Sequence, residues 1–171
     1  MPTITEKAER FRELHSRPGT FIIPNPFDVG SAKILQHLGF EALATTSSGF
    51  AFSIGRLDGT ITRDAAIAHS KQLVDASDIP VSADLENGFG DDANTVADTV
   101  RMAATAGLAG CSIEDSTKSD RDPIYARDHA TDRIRAAVDA ARAVGRPFTL
   151  TARAENYLHG RRDLKDTIAR L

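Results

Sequence analysis

The chain has no tryptophan, a single cysteine and only 6% aromatic residues among its 171 residues. One thiol, Cys111, cannot build a disulfide framework, which excludes the small cross-linked secreted folds and points to a reducing compartment. No apolar run approaches the roughly 20 residues a helix needs to cross a bilayer. The opening stretch, Met1 to Leu14, is polar and charged and lacks the apolar segment of a secretory signal. Basic residues are in the minority, 21 against 24 acidic ones for a net charge of −3, and the densest basic spot is only Arg161-Arg162. That excludes a basic stripe for non-specific nucleic-acid binding. Neither nucleic acid nor a membrane is therefore an expected partner, and a cytoplasmic location is expected. What is present is an ordinary globular composition, 41% hydrophobic and 26% charged, sufficient for one domain with a substantial core.

Short apolar segments alternate with amphipathic ones. Strands are predicted at Phe21–Pro24, Ala42–Ser47, Pro80–Glu86, Gly110–Asp115 and Phe148–Arg153, and helices at Glu6–Ser16, Ser31–Leu38, Arg63–Ala76, Ala93–Ala106, Asp132–Val144 and Leu164–Leu171. Helical spacing is plain in Val96, Val100 and Ala103, and again in Ile134, Val138, Ala141 and Val144, with Thr131 as the expected N-cap of the latter helix. Gly39, Gly107 and Gly145 follow helices where a left-handed residue closes the last turn. Strand–helix units in series predict a parallel sheet, either an open doubly wound sheet or a (β/α)₈ barrel. Spacing alone leaves both open.

The most informative stretch runs from Val81 to Asp92, where an apolar strand leads into Asp84 and Glu86 and then a glycine-rich turn. Residues two apart on a strand share a face, so this pair is expected to look into one small volume. Two such carboxylates repel unless a cation lies between them, and a hard divalent ion such as Mg²⁺ suits oxygen ligands. Other polar residues gather at the predicted strand ends, where both parallel architectures place their sites. They are Asn25-Pro26-Phe27-Asp28, Thr45 to Gly49 with the following loop to Asp58, Glu114-Asp115, and Arg153-Ala154-Glu155.

Plainer readings stand beside these. Asp28 and Asp92 suit helix caps, and Thr46-Ser47-Ser48-Gly49 suits either an ordinary turn or an anion-binding one. Arg153 suits a clamp on a substrate carboxylate or a salt bridge to Glu86 or Glu155. Gly88-x-Gly90-x-x-Ala93 fits a loose dinucleotide pattern, but the surrounding acids would repel a pyrophosphate. Cys111 reads as core packing. His15, His37 and His69 read as surface residues on helices, and His129 and His159 as loop residues with no metal-ligand spacing. No Ser-centred nucleophile elbow is present. The connection from Asp115 to Ala130 has the length of a lid or of a surface excursion.

Asn25-Pro26-Phe27-Asp28-Val29-Gly30-Ser31-Ala32, Thr46-Ser47-Ser48-Gly49, Asp84-Leu85-Glu86-Asn87-Gly88-Phe89-Gly90, Ser112-Ile113-Glu114-Asp115 and Thr151-Ala152-Arg153-Ala154-Glu155 occur in this order. Together they resemble the isocitrate lyase/phosphoenolpyruvate mutase superfamily, most closely its phosphoenolpyruvate mutase-like branch, from about Phe21 to Leu171. The resemblance implies a (β/α)₈ barrel with an extra N-terminal helix, residues 1–171 forming one partial barrel without strands six to eight. It implies an Mg²⁺-dependent enzyme, with Mn²⁺ as a substitute, that makes or breaks a C–C or P–C bond in a small 2-oxo acid, malate-type acid or phosphonate through an enolate-like species. A homo-oligomeric full-length form is the corresponding expectation. By position, the resemblance makes Asp84, Glu86 and Glu114 metal-binding acids, and Asp58 and Arg153 catalytic. Ser47, Ser48, Gly49, Asn87 and Glu155 become substrate-binding residues.

Two departures narrow the reaction. Lyases of the superfamily carry Lys-x-Cys-Gly-His after the fourth-strand acids, whereas this chain has Ser116-Thr117-Lys118-Ser119-Asp120-Arg121, so isocitrate or methylisocitrate lyase activity is not expected. The Pro-Lys-x-Asn pattern of true mutases is missing as well, and Glu86 stands where Asp is usual. The alternatives are a non-catalytic fragment, or an open α/β ligand-binding domain.

Overall fold

The computed structural model describes residues 1–171. Its elements run α1 (Ile4–Ser16), α2 (Val29–His37), β1 (Leu43–Ala44), α3 (Ser47–Ser53), α4 (Arg63–Ala76), β2 (Val81–Asp84), α5 (Ala93–Thr105), β3 (Gly110–Glu114), α6 (Arg127–Arg142), β4 (Thr149–Arg153) and α7 (Leu164–Arg170). The strands form one parallel sheet in the order β1-β2-β3-β4, with helices on its outer face. This is the α/β, barrel-type arrangement, in which each strand is joined to its parallel neighbour through a helix.

Five strands are predicted and four pair. Phe21–Pro24 stays outside the ladder, touching it where the Ala44 amide donates to the Pro24 carbonyl at 3.1 Å and the Asn25 side chain donates to the Ala44 carbonyl at 3.1 Å. Pro24 and Pro26 have no N–H to donate, so this segment cannot carry a continuous ladder. The reverse surprise is α3. Thr46, Ser47, Ser48 and Gly49 read as a turn because each is a poor helix former, yet Thr46 caps a helix that begins at Ser47 by accepting from the Gly49 amide at 3.2 Å. Helix α6 starts at Arg127 rather than Asp132, so His129 is helical. Thr131 lies inside the helix, donating to the Arg127 carbonyl at 2.9 Å, and is no cap. Asp28 and Asp92 do cap α2 and α5.

The main core lies between sheet and helices, where Leu43, Leu73, Val81, Ala83, Val96, Val100, Cys111 and Ile113 are buried. Strand alternation directs Val81, Ala83, Cys111 and Ile113 outward to the helices, and leaves Ser82, Asp84, Ser112, Glu114, Thr151 and Arg153 lining a cavity on the inner face. The buried face of α6 is Arg133, Ala137, Ala140 and Ala141, turned from the predicted stripe because alanines allow close approach to α5 while Ile134 and Val138 are only half-buried. A second cluster of Ala8, Phe11, Leu14, Ala42 and Ala109 docks α1 across the N-terminal ends of the strands. His69, predicted on the surface, is buried and stacks on Phe50 at 3.8 Å between ring centroids.

Gly110 is the tightest point of the sheet. A side chain there would collide with the Thr149 carbonyl oxygen and press on Phe11 at 3.1 Å. The obstructing atom is backbone and cannot swing away, so Gly110→Ala is expected to cost about 3 kcal/mol, the upper end for overpacking. The check is a lowered urea midpoint at unchanged slope.

Candidate active site

Register builds the site. Asp84 on β2 lies opposite Ser112 on β3, and Glu114 on β3 lies opposite Arg153 on β4, so acid and base side chains meet at the C-terminal ends of neighbouring strands. The Arg153 guanidinium lies 3.2 Å from Asp84 and 4.0 Å from Glu114, and its Nε donates to Glu155 at 2.8 Å. Asp84 is gripped from the other side by Ser47, whose hydroxyl and amide donate to it at 2.9 and 3.3 Å. Asp84, Glu114, Arg153 and Ser47 line an open cavity of about 540 Å³ together with Asn25, Ser48, Asp58 and Thr151.

Glu86 reaches this region by a route the strand argument did not foresee. Strand β2 ends at Asp84, and Glu86 adopts a left-handed backbone with φ of +49°. Its amide donates back to the Asp84 carboxylate at 3.2 Å, and its own carboxylate pairs with Lys118 at 3.1 Å. The pair is thus held close by a turn and not by pleat alternation.

Burial sets the electrostatics. It pushes the Glu114 carboxyl up to about 7 against the pull of Arg153, with Asp84, Glu155 and Glu86 adding to the rise. It also raises Glu86, although Lys118 opposes it. Burial alone would lower Arg153, but Glu114, Asp84 and Glu155 together hold its guanidinium above the ordinary value. Negative charge here exceeds what two cations neutralise. No three acidic, histidine or cysteine side chains form a closed metal cage. Mg²⁺ needs none, since it binds through one or two carboxylates and retains waters. The two cavity-lining oxygen donors Asp84 and Glu114 therefore fit a hard divalent ion, with Glu86 beside them paired to Lys118.

The remaining predicted residues divide. Asp58 lies on an exposed loop at the cavity rim, where it accepts from the Gly59 amide at 3.0 Å. Ser48 lines the cavity; Gly49 has its amide committed to Thr46, and a side chain there would press on Phe27 at 3.1 Å. Glu155 is buried and braces Arg153. Asn87 is not brought to the cavity: its side chain is buried, donating to the Tyr125 hydroxyl at 3.1 Å and accepting from the Phe89 amide at 3.1 Å. Lys118 is the residue sequence reasoning passed over as a site member. It comes from the loop after β3, pairs with Glu86 and donates to the Gly59 carbonyl at 3.1 Å, and no spacing signal announces it. The loop itself is anchored by a bridge between Ser116 and Ile124, by Tyr125 donating to the Asp115 carbonyl at 2.9 Å, and by Arg170 on Asp115 at 3.0 Å.

A parallel α/β sheet with acids and an arginine at successive strand ends is the arrangement of a barrel-type site. The chain matches the family model of phosphoenolpyruvate phosphomutase over residues 11–171 and belongs to that family. It is 32% identical over 156 residues to 2,3-dimethylmalate lyase of Eubacterium barkeri, covering 86% of this chain and 53% of that protein. Among solved structures, a lyase/mutase candidate from Burkholderia cenocepacia J2315 shares 64% identity at a TM-score of 0.97, over 98% of this chain and 61% of that one. A phosphonomutase candidate from the same organism shares 35% identity at a TM-score of 0.88, over 96% and 69%. The chain spans about half the length of the curated relatives it matches. No helix is long and apolar enough to cross a membrane.

Behind the acids, a small cavity is lined by Thr45, Ser47, Phe50, His69, Asp84 and Glu86. Burial lowers the pKa of His69 below the ordinary 6.5, while Asp28 opposes the shift, and its Nε2 has no partner. A depressed imidazole favours the folded state fully above pH 6.5 and loses that contribution as pH falls through its folded value. His69→Phe, which keeps the stack on Phe50, is therefore expected to show a smaller drop in urea midpoint than wild type between about pH 7 and pH 5.

Proposed function

We propose that this protein is a Mg²⁺-dependent enzyme that makes or breaks a C–C or P–C bond in a small 2-oxo or 2-hydroxy acid bearing a second anionic group. The observation that carries this reading is the convergence of Asp84, Glu114 and Arg153 at neighbouring strand ends around one cavity. Kinship with a dimethylmalate lyase and a phosphonomutase candidate supports the substrate class.

In this reading Asp84 and Glu114 hold the ion directly. Glu86 belongs to its outer surroundings, because its carboxylate is already paired with Lys118. Mg²⁺, when bound, supplies Lewis acidity to the oxygens of a 2-oxo acid, an effect worth several kcal/mol. Arg153 binds the anionic end of the substrate through the guanidinium N–H groups left over from its pairs with Glu155 and Asp84, Glu155 fixing its plane. Ser47 keeps Asp84 oriented through its hydroxyl and amide. Ser48 offers a hydroxyl at the cavity wall, and Asp58 at the rim serves as the acid nearest the mouth. The loop after β3, carrying Lys118, covers this side and limits access of water to the reacting centre.

Calorimetric titration with Mg²⁺ tests the metal. Asp84→Asn is expected to weaken binding beyond the roughly 10–100-fold that losing an outer partner of a ligand costs, and Glu86→Gln by about that amount. Equal affinity in wild type and Asp84→Asn would remove the reading. The chemistry is tested by incubating Mg²⁺-loaded protein with oxaloacetate, phosphonopyruvate, substituted malates and methylisocitrate, following loss of the substrate and formation of a 2-oxo acid, an enol phosphate or oxalate. Silence on all of them would exclude the substrate class.

A further inference from the structure

The turn that carries Glu86 is held in a costly shape. Between Glu86 and Gly90 three residues lie in the left-handed region: Glu86 at φ +49°, Gly88 at +77° and Phe89 at +63°. For the two that are not glycine, this conformation is strained and persists only where the surroundings over-determine it. The largest fully buried side chain of the protein points at this turn. Arg133, on α6 and 1% exposed, donates through one Nη to the carbonyl oxygens of Asn87 and of Gly90, the latter at 3.0 Å.

This guanidinium has no acid within ion-pair distance, and its Nε has no partner. Its other face is covered by the Tyr125 ring, 4.1 Å from the centroid. Burying a cation without a counter-ion is expensive, so carbonyl dipoles and an aromatic face are its compensation. Tyr125 extends the assembly in two directions. Its hydroxyl accepts from Asn87 at 3.1 Å and donates to Asp91, while its backbone ties to Asp115 beside Glu114 and to Arg170 at 3.0 Å. Arg133 and Tyr125 thereby join α6, the turn bearing Glu86 and the root of the loop bearing Lys118. Those are the two halves of the Glu86–Lys118 ion pair.

We infer that Arg133 is a positioning residue for the outer surroundings of the metal site: clamped under Tyr125, it fixes the left-handed turn at Asn87 and Gly90 and so sets where the Glu86 carboxylate stands beside Asp84. The inference rests on the metal reading above. The planar guanidinium lies against the Tyr125 ring while one of its nitrogens serves both carbonyls, a combination that an ammonium on a flexible stem does not reproduce, so lysine is not an equivalent.

The test uses the whole chain with Mg²⁺ as the probe. Arg133→Met is expected to weaken Mg²⁺ binding about tenfold, as loss of an outer support does, and Arg133→Lys to recover only part of it. Leu73→Ala, a core truncation on α4 that touches neither Arg133 nor the hydrogen bonds of the turn, should lower the melting temperature while leaving Mg²⁺ affinity at the wild-type value. Wild-type affinity in a folded Arg133→Met would overturn the inference. Should Arg133→Met not fold, Tyr125→Phe replaces it: removing the hydroxyl releases Asn87 and Asp91, several-fold weaker binding supports the inference, and unchanged binding overturns it. If wild type itself binds no Mg²⁺, the metal reading falls. The positioning role is then read from amide exchange, where Gly88, whose N–H donates to Leu85 at 2.8 Å, should lose protection in Arg133→Met or Tyr125→Phe but not in Leu73→Ala. Unchanged protection would overturn the positioning role too.

Discussion

Everything at the working end of this molecule answers to one constraint: more carboxylates converge there than the protein's own cations neutralise. Asp84, Glu86, Glu114 and Glu155 come from three consecutive strand ends and share Arg153 and Lys118 between them. Arg153 is bound on three sides, and Lys118 is drawn from a loop thirty-two positions beyond Glu86 in the sequence. Like charges this close stay ionised together only while cations intervene, and otherwise favour taking up a proton. The fold supplies part of that charge and leaves the balance for whatever the site binds.

The same constraint explains the division of labour among elements. The sheet fixes Asp84, Glu114 and Arg153 by register, which tolerates little movement because a one-residue slip reverses every side chain. The variable parts are loops. The segment from Asp115 to Ala126 lacks the cysteine and histidine of the superfamily's lyases and the Pro-Lys-x-Asn of its mutases, yet it delivers a cation to Glu86. Loops on a rigid scaffold are where chemistry is altered without disturbing the core.

How legible was this from sequence? The acids at strand ends and the capping aspartates were, because alternation and capping are local rules. The kinship was, because several motifs recur in order. The first strand failed because prolines remove its donors, and α3 was hidden because Thr, Ser and Gly favour turns except where a cap and burial of Ala51 override them. Arg133 left a faint trace. It keeps phase with Ala137, Ala140 and Ala141, and a charge inside an alanine stripe is the sign that the stripe was read one residue off. Lys118 left none, since its partner is distant in sequence and near only in space.

Cys111 is wholly buried on β3, facing the helices, and burial pushes its thiol up to about 12, so in the folded protein it is both shielded and protonated. The thiolate is the reactive form, so an alkylating reagent can capture this residue only when the centre of the sheet opens. The molecule therefore carries a built-in clock. With no other cysteine to compete, the rate at which it is labelled counts the openings of β3, the strand that bears Glu114.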